Sequence, residues 1–128
     1  MVRPLKRFVR PWLAAALLVM SLAPPTAATA SSPPRIVAVG DLHGDYDVWL
    51  AIARAARLID GGGHWAGGKA VFVQTGDIVD RGGDSLRIVH HLQQLEREAK
   101  KAGGQVIVLI GNHEAMIMTG DLRYTAPG

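Results

Sequence analysis

Three short apolar runs begin 35 residues apart: "RIVAV" (35–39), "AVFVQ" (70–74) and "QVIVLI" (105–110). Each is compact and rich in β-branched residues, the mark of a strand buried on both sides. Two helical patterns separate them. "DYDVWLAIARAARL" (45–58) has Asp45 as N-cap, with Val48, Ile52, Ala55 and Ile59 at helical spacing. "DSLRIVHHLQQLEREAKKA" (84–102) has Asp84 as cap and Ile88, Leu92, Leu95, Ala99 and Ala102 on one face. Lys100 and Lys101 occupy its last turn, and Gly103 follows as a stop. "DGGGHWAGG" (60–68) reads as a flexible loop. The order β-α-β-α-β predicts an α/β fold, with a parallel sheet covered on both faces and right-handed crossovers. Ligands in such sheets gather at the carboxyl ends of the strands.

The first 30 residues stand apart. Arg3, Lys6, Arg7 and Arg10 precede an apolar stretch, Trp12 to Ala23, that is shorter than the roughly 20 residues of a membrane span. Pro24 and Pro25 end it, and Ala28-Thr29-Ala30 is a small-residue cleavage pattern. Residues 1–30 therefore read as a signal peptide, 31–34 as a short linker and 35–128 as the domain. A cleaved leader implies export, to the periplasm of a bacterium or beyond, with no stable membrane anchor left. The chain carries a net charge of +3, but the leader supplies four of its 14 basic residues and no acid. What remains has ten bases against eleven acids, so the high pI gives no reason to expect nucleic-acid binding. There is no cysteine, which excludes disulfides, a lipidated N-terminal Cys and thiol nucleophiles.

Each strand runs straight into a polar cluster: "GDLHGD" (40–45), "TGDIVDRGGD" (75–84) and "GNHE" (111–114). Asp41, Asp77 and Asn112 are the first metal-competent side chains of the three, and they lie 36 and 35 residues apart. All three should emerge at one edge of the sheet. Gathered carboxylates repel unless a cation sits among them, and Asp, His and Asn donors suit Mn, Fe or Zn. A lone Gly-Asp is more often a turn or cap, but capping does not account for His43 or His113.

The set "GDLHGD … GDIVDRG … GNHE" resembles the signature of the calcineurin-like metallophosphoesterases, and its "VDRG" and "GNHE" forms are similar to those of PPP-type protein phosphatases. "GNHEAMIMTGDLRY" (111–124) resembles the Shewanella-like branch. The resemblance runs from Arg35 to Tyr124. It implies two divalent metal ions, held by Asp41, His43, Asp77 as the bridge, and Asn112. It implies Arg81 on a phosphate oxygen, His113 as the acid for the leaving oxygen, and Asp80 orienting His113. The implied reaction is hydrolysis of phosphate monoesters on protein or peptide by a metal-activated hydroxide. Alternatives are a small-molecule phosphoesterase or an inactive metal-binding remnant. Glu114 either orients Arg81 or has a structural role, and the second is favoured.

The chain departs from the family pattern after Asn112. Two further His ligands are expected downstream, yet His113 is the last His in the chain. The expectation is a parallel half of a β-sandwich, the N-terminal part of a longer protein. Other motifs fail on inspection. "GHWAGGKA" (63–70) lacks the Ser or Thr of a P-loop, and "HEAMI" (113–117) lacks the second His of a zinc-protease helix. His91 reads as a packed core residue, His90 as exposed and His64 as a loop residue. Trp49 and Trp65 read as packing residues, and Arg123 and Tyr124 as a solvated turn or a substrate contact.

Overall fold

The computed structural model describes residues 32–126, so the leader predicted for residues 1–30 lies outside the described residues. Strands β1 (Ile36–Val39), β2 (Val71–Gln74) and β3 (Gln105–Val108) form a parallel sheet in the order β1-β2-β3. Helices α1 (Tyr46–Ala55) and α2 (Ser85–Ala102) connect them, and a short helix α3 (Asn112–Met118) follows β3. The register sets Val39, Gln74 and Val108 side by side, so the three strands end level. The three polar clusters therefore leave the sheet at one edge, as their equal spacing predicts.

Both long helices pack on the same face of that sheet. Val37, Phe72 and Val106 point toward them, and Trp49 of α1 stacks on Phe72 with ring centroids 5.5 Å apart. Trp49 and Ala53 of α1 share this core with Ile88, Leu92, Leu95 and Ala99 of α2. Burying an aromatic or large aliphatic side chain contributes about 1.5–3 kcal/mol. The opposite face carries Ile36, Ala38, Val71, Val73 and Ile107, and no helix covers it among the described residues. Ile36 is 69% exposed. Among the described residues, the helices cover one face only. Two crossovers of one hand, stepping in one direction across the sheet, leave both helices on one side.

Several element ends also differ from their sequence reading. α1 stops at Ala55 because Arg57 adopts φ 53°, and the Leu58 N–H turns back to the Ala53 carbonyl (2.8 Å). Ile59 is therefore not on a helix face. It enters the core from the loop, 4% exposed, and forms an isolated bridge with Trp65. The loop itself is well tied and not free. Asp60 Oδ1 accepts the Gly62 and His64 N–H groups, and Glu98 of α2 accepts the Trp65 N–H at 2.7 Å. Asp45 caps α1 through Val48 as expected (2.9 Å), whereas the Asp84 side chain makes no cap bond and lies 3.9 Å from Arg87. Gly103 ends α2 at φ 77°, as its position suggests. β3 stops at Val108, two residues early, after which only Leu109 still bonds Gln74 (2.8 Å).

Candidate metal centre

The first two strand-end loops are joined by their backbones. The Asp77 carbonyl accepts the N–H groups of Leu42 (2.9 Å) and His43 (3.0 Å), and Gly44 donates to Ile78 (2.7 Å). Gly82 donates in turn to His43 (2.8 Å). Such contact requires glycine where the chains meet: a Cβ on Gly44 would strike the Gly82 backbone, and one on Gly76 (φ 106°) would strike Gly111. Gln74, fully buried on β2, links the loops from below. Its amide donates to the Gly40 carbonyl (3.0 Å), and its carbonyl accepts the Gly76 N–H.

His43, Asp77, Asp80 and Arg81 all have positive φ, between 45° and 70°. Non-glycine residues there cost of order 1–3 kcal/mol each and gather at functional sites. Two of the four, His43 and Asp77, contribute to one cluster, and a third, Asp80, reaches the adjacent His113. Ligand atoms of Asp41, His43 and Asp77 all lie within 4.8 Å of one another. His43 Nδ1 donates to the Val79 carbonyl (3.1 Å), which leaves Nε2 free, 3.7 Å from Asp41 Oδ2. A carbonyl fixing the tautomer of an imidazole in this way is the usual support for a metal ligand. Two carboxylates and one free imidazole nitrogen fit a divalent transition ion.

The third loop meets the second at Asp77. The His113 N–H donates to Asp77 Oδ1 (2.9 Å). "GNHE" is the start of a helix: Gly111 is the cap, and Asn112 to Glu114 form the first turn of α3. Asn112 is exposed there, flanked by two residues whose backbones both abut the Asp77 carboxylate. His113 is buried, and its Nδ1 donates to Asp80 Oδ2 at 2.8 Å, with both side chains at most 6% exposed. The His43 and His113 rings meet edge-on, centroids 4.6 Å apart. Arg81 is exposed, and its guanidinium forms no ion pair among the described residues.

Glu114 resolves to a structural role. One carboxylate accepts four backbone N–H groups, from Asp77 (2.8 Å), Ile78 (2.7 Å), Val79 (3.2 Å) and Gly111 (2.8 Å). Burial pushes its pKa up, but the four donors together outweigh that and hold the carboxyl below its ordinary value. It also sits at the third position of α3, where a carboxylate favours the helix N-terminus.

The remaining histidines have other partners. His91 is 7% exposed, accepts Trp49 Nε1–H (3.0 Å) and donates to the Gly63 carbonyl (2.7 Å). His64 pairs with Glu98 (3.0 Å), and His90 is exposed on α2. Trp49 is fully buried, and Trp65 is partly buried against the core. Arg123 pairs with Asp121 in a surface turn (2.7 Å), while the Tyr124 ring lies 5.3 Å from that of His113. Gln74 and Thr125 went unnoticed in the sequence. Gln74 left a signal, a polar residue at a buried position of an apolar strand; Thr125 left none.

Comparison with known proteins places these residues in context. The family profile of calcineurin-like phosphoesterases matches residues 34–127. Shewanella-like protein phosphatase 2 of Arabidopsis thaliana is 48% identical over 92 residues, 72% of this chain and 24% of that protein. Shewanella-like protein phosphatase 1 of Plasmodium berghei is 38% identical over 93 residues, 73% of this chain and 26% of that protein. The crystal structure of a cold-active protein-tyrosine phosphatase from a psychrophilic Shewanella superposes with a TM-score of 0.71 at 43% identity. That match covers 74% of this chain and 29% of the other. The chain thus spans about a quarter of the length of the curated relatives it matches.

Proposed function

The chain belongs to the calcineurin-like phosphoesterase family, and from that premise we propose that it hydrolyses phosphate monoesters, with phosphorylated protein or peptide as substrate. One observation carries the reading: a three-ligand cluster, Asp41, His43 and Asp77, lies directly beside the buried His113–Asp80 pair. In this reading Asp41 and His43 would hold one divalent ion, Asn112 would hold a second, and Asp77 would serve both. Mn, Fe or Zn held there would supply Lewis acidity and activate water near neutral pH. Arg81, exposed on the loop that carries Asp77 and Asp80, binds a phosphate oxygen in this reading through its planar guanidinium. His113 delivers a proton to the departing oxygen from Nε2, because Nδ1 is committed to Asp80. The relatives named as phosphatases, among them a protein-tyrosine phosphatase from Shewanella, support this reading.

The uncovered apolar face of β1–β3 supports the further reading that this sheet is one half of a β-sandwich. The basic, apolar and small-residue layout of Met1–Ala30 supports export with cleavage after Ala30. N-terminal sequencing of the purified protein tests the latter.

The test of activity uses the full chain loaded with Mn²⁺, with Asp77→Asn as control. Bound metal per chain is measured beside turnover of p-nitrophenyl phosphate, a phosphopeptide and a phosphodiester. Metal-dependent turnover of the monoesters, lost in Asp77→Asn, is expected. Turnover of the diester alone would replace the reading with that of a phosphodiesterase, and turnover that Asp77→Asn leaves intact would refute it.

A further inference from the structure

Asp80 is 2% exposed, and its two oxygens have different partners. Oδ2 accepts the His113 Nδ1–H, and Oδ1 accepts the Thr125 hydroxyl at 3.2 Å. No other hydrogen bond reaches this carboxylate among the described residues. Thr125 comes from a segment 45 residues away that is fastened to the same loop twice. The Arg81 N–H donates to the Tyr124 carbonyl (2.8 Å), and the Tyr124 ring packs near His113. The Thr125 backbone N–H is already used in its own turn, by Leu122 (3.1 Å), so the hydroxyl is the group left to bond Asp80.

A carboxylate held by one partner rotates easily, because its terminal torsion is broad and two-fold. A second donor on the other oxygen fixes its plane. With Nδ1 engaged by a carboxylate of fixed plane, the orientation of the His113 ring is fixed as well, and Nε2 is its remaining nitrogen. We propose that Thr125 is a positioning residue: its hydroxyl locks Asp80 and, through Asp80, the ring of His113. This rests on the phosphatase reading for its consequence in catalysis, but not for the geometry itself.

Two measurements on the full chain separate these layers, using Thr125→Val, which keeps the shape, and Thr125→Ser, which keeps the hydroxyl. The first is proton NMR of the hydrogen-bonded His113 Nδ1–H, assigned by its absence in His113→Asn. In Thr125→Val this resonance broadens away or moves upfield; in Thr125→Ser it stays. The second is turnover of an alkyl phosphate relative to p-nitrophenyl phosphate, whose leaving group departs without a proton. Thr125→Val lowers the alkyl-to-aryl ratio about tenfold, the rate equivalent of one charge-assisted hydrogen bond, and Thr125→Ser restores it. An unchanged Nδ1–H signal in Thr125→Val overturns the proposal, as does a ratio that stays constant. A chain with no turnover at all sinks the phosphatase reading, and the NMR comparison still decides the role of Thr125.

Discussion

Replacing Glu114 by Ala removes the acceptor of four backbone N–H groups at once. Three of those bonds are 2.7–2.8 Å long and the fourth is 3.2 Å. A hydrogen bond to a charged group contributes roughly 1.5–3 kcal/mol, but Glu114 is only partly buried, so water would recover a share of each. Taking about 1 kcal/mol for each short bond gives an expected loss of about 3 kcal/mol. Glu114→Gln keeps one acceptor oxygen and turns an NH₂ group toward the donors, so about half that loss is expected. The sign with pH follows from the lowered carboxyl pKa of Glu114. Its contribution is present above the ordinary carboxylate value and is lost as pH falls through the lower, folded-state value. Wild type and Glu114→Ala should therefore differ most near neutrality and converge in acid. Urea denaturation at several pH values reads this. Because the same carboxylate holds the Asp77 loop, Mn²⁺ affinity measured by calorimetry should fall about 10–100-fold. A stability change under about 0.5 kcal/mol, together with unaltered metal affinity, would refute the account of Glu114 as the link between the second and third loops.

Three further outcomes are expected. Gly76→Ala combines a left-handed backbone with a Cβ driven into Gly111, so urea denaturation should show a loss of about 3 kcal/mol or more, whereas Gly61→Ala, with open space around it, should change stability by less than about 0.5 kcal/mol. His91→Phe leaves the Trp49 indole N–H and the Gly63 carbonyl without their partner, and should cost about 3 kcal/mol in the same assay, with a change in tryptophan emission. The loop before β2 should be held most firmly in mildly acidic solution, as read by amide exchange of the Trp65 N–H. The hydrogen bond from His64 lowers Glu98 to about 2, and that from Glu98 raises His64. The Glu98 share is full above its ordinary 4.5 and fades as pH falls toward 2, while the His64 share is full below its ordinary 6.5 and fades as pH rises past its raised value. Protection that stays flat across this range, or is unchanged by His64→Ala, would sink the assignment.

The sequence by itself determined what depends on local pattern and spacing. The period of 35 residues between apolar runs sets three level parallel strands, so the clusters that follow them share one edge. Asp41, His43 and Asp77 were legible for that reason, and Asp45 and Gly103 were legible because caps act on their own helix. Only the tertiary structure decided which face of the sheet the helices cover. The strands are apolar at both parities, so the pattern carries no preference, and the choice falls to the crossovers. The first turn of α3 was equally hidden, because seven residues make too weak a helix alone and Glu114 is held by donors 35–37 positions earlier. The bond from Thr125 to Asp80 spans 45 residues and leaves no trace in composition or period. Local hydrogen bonds are written in local sequence; bonds between loops exist only after the sheet has brought their ends together.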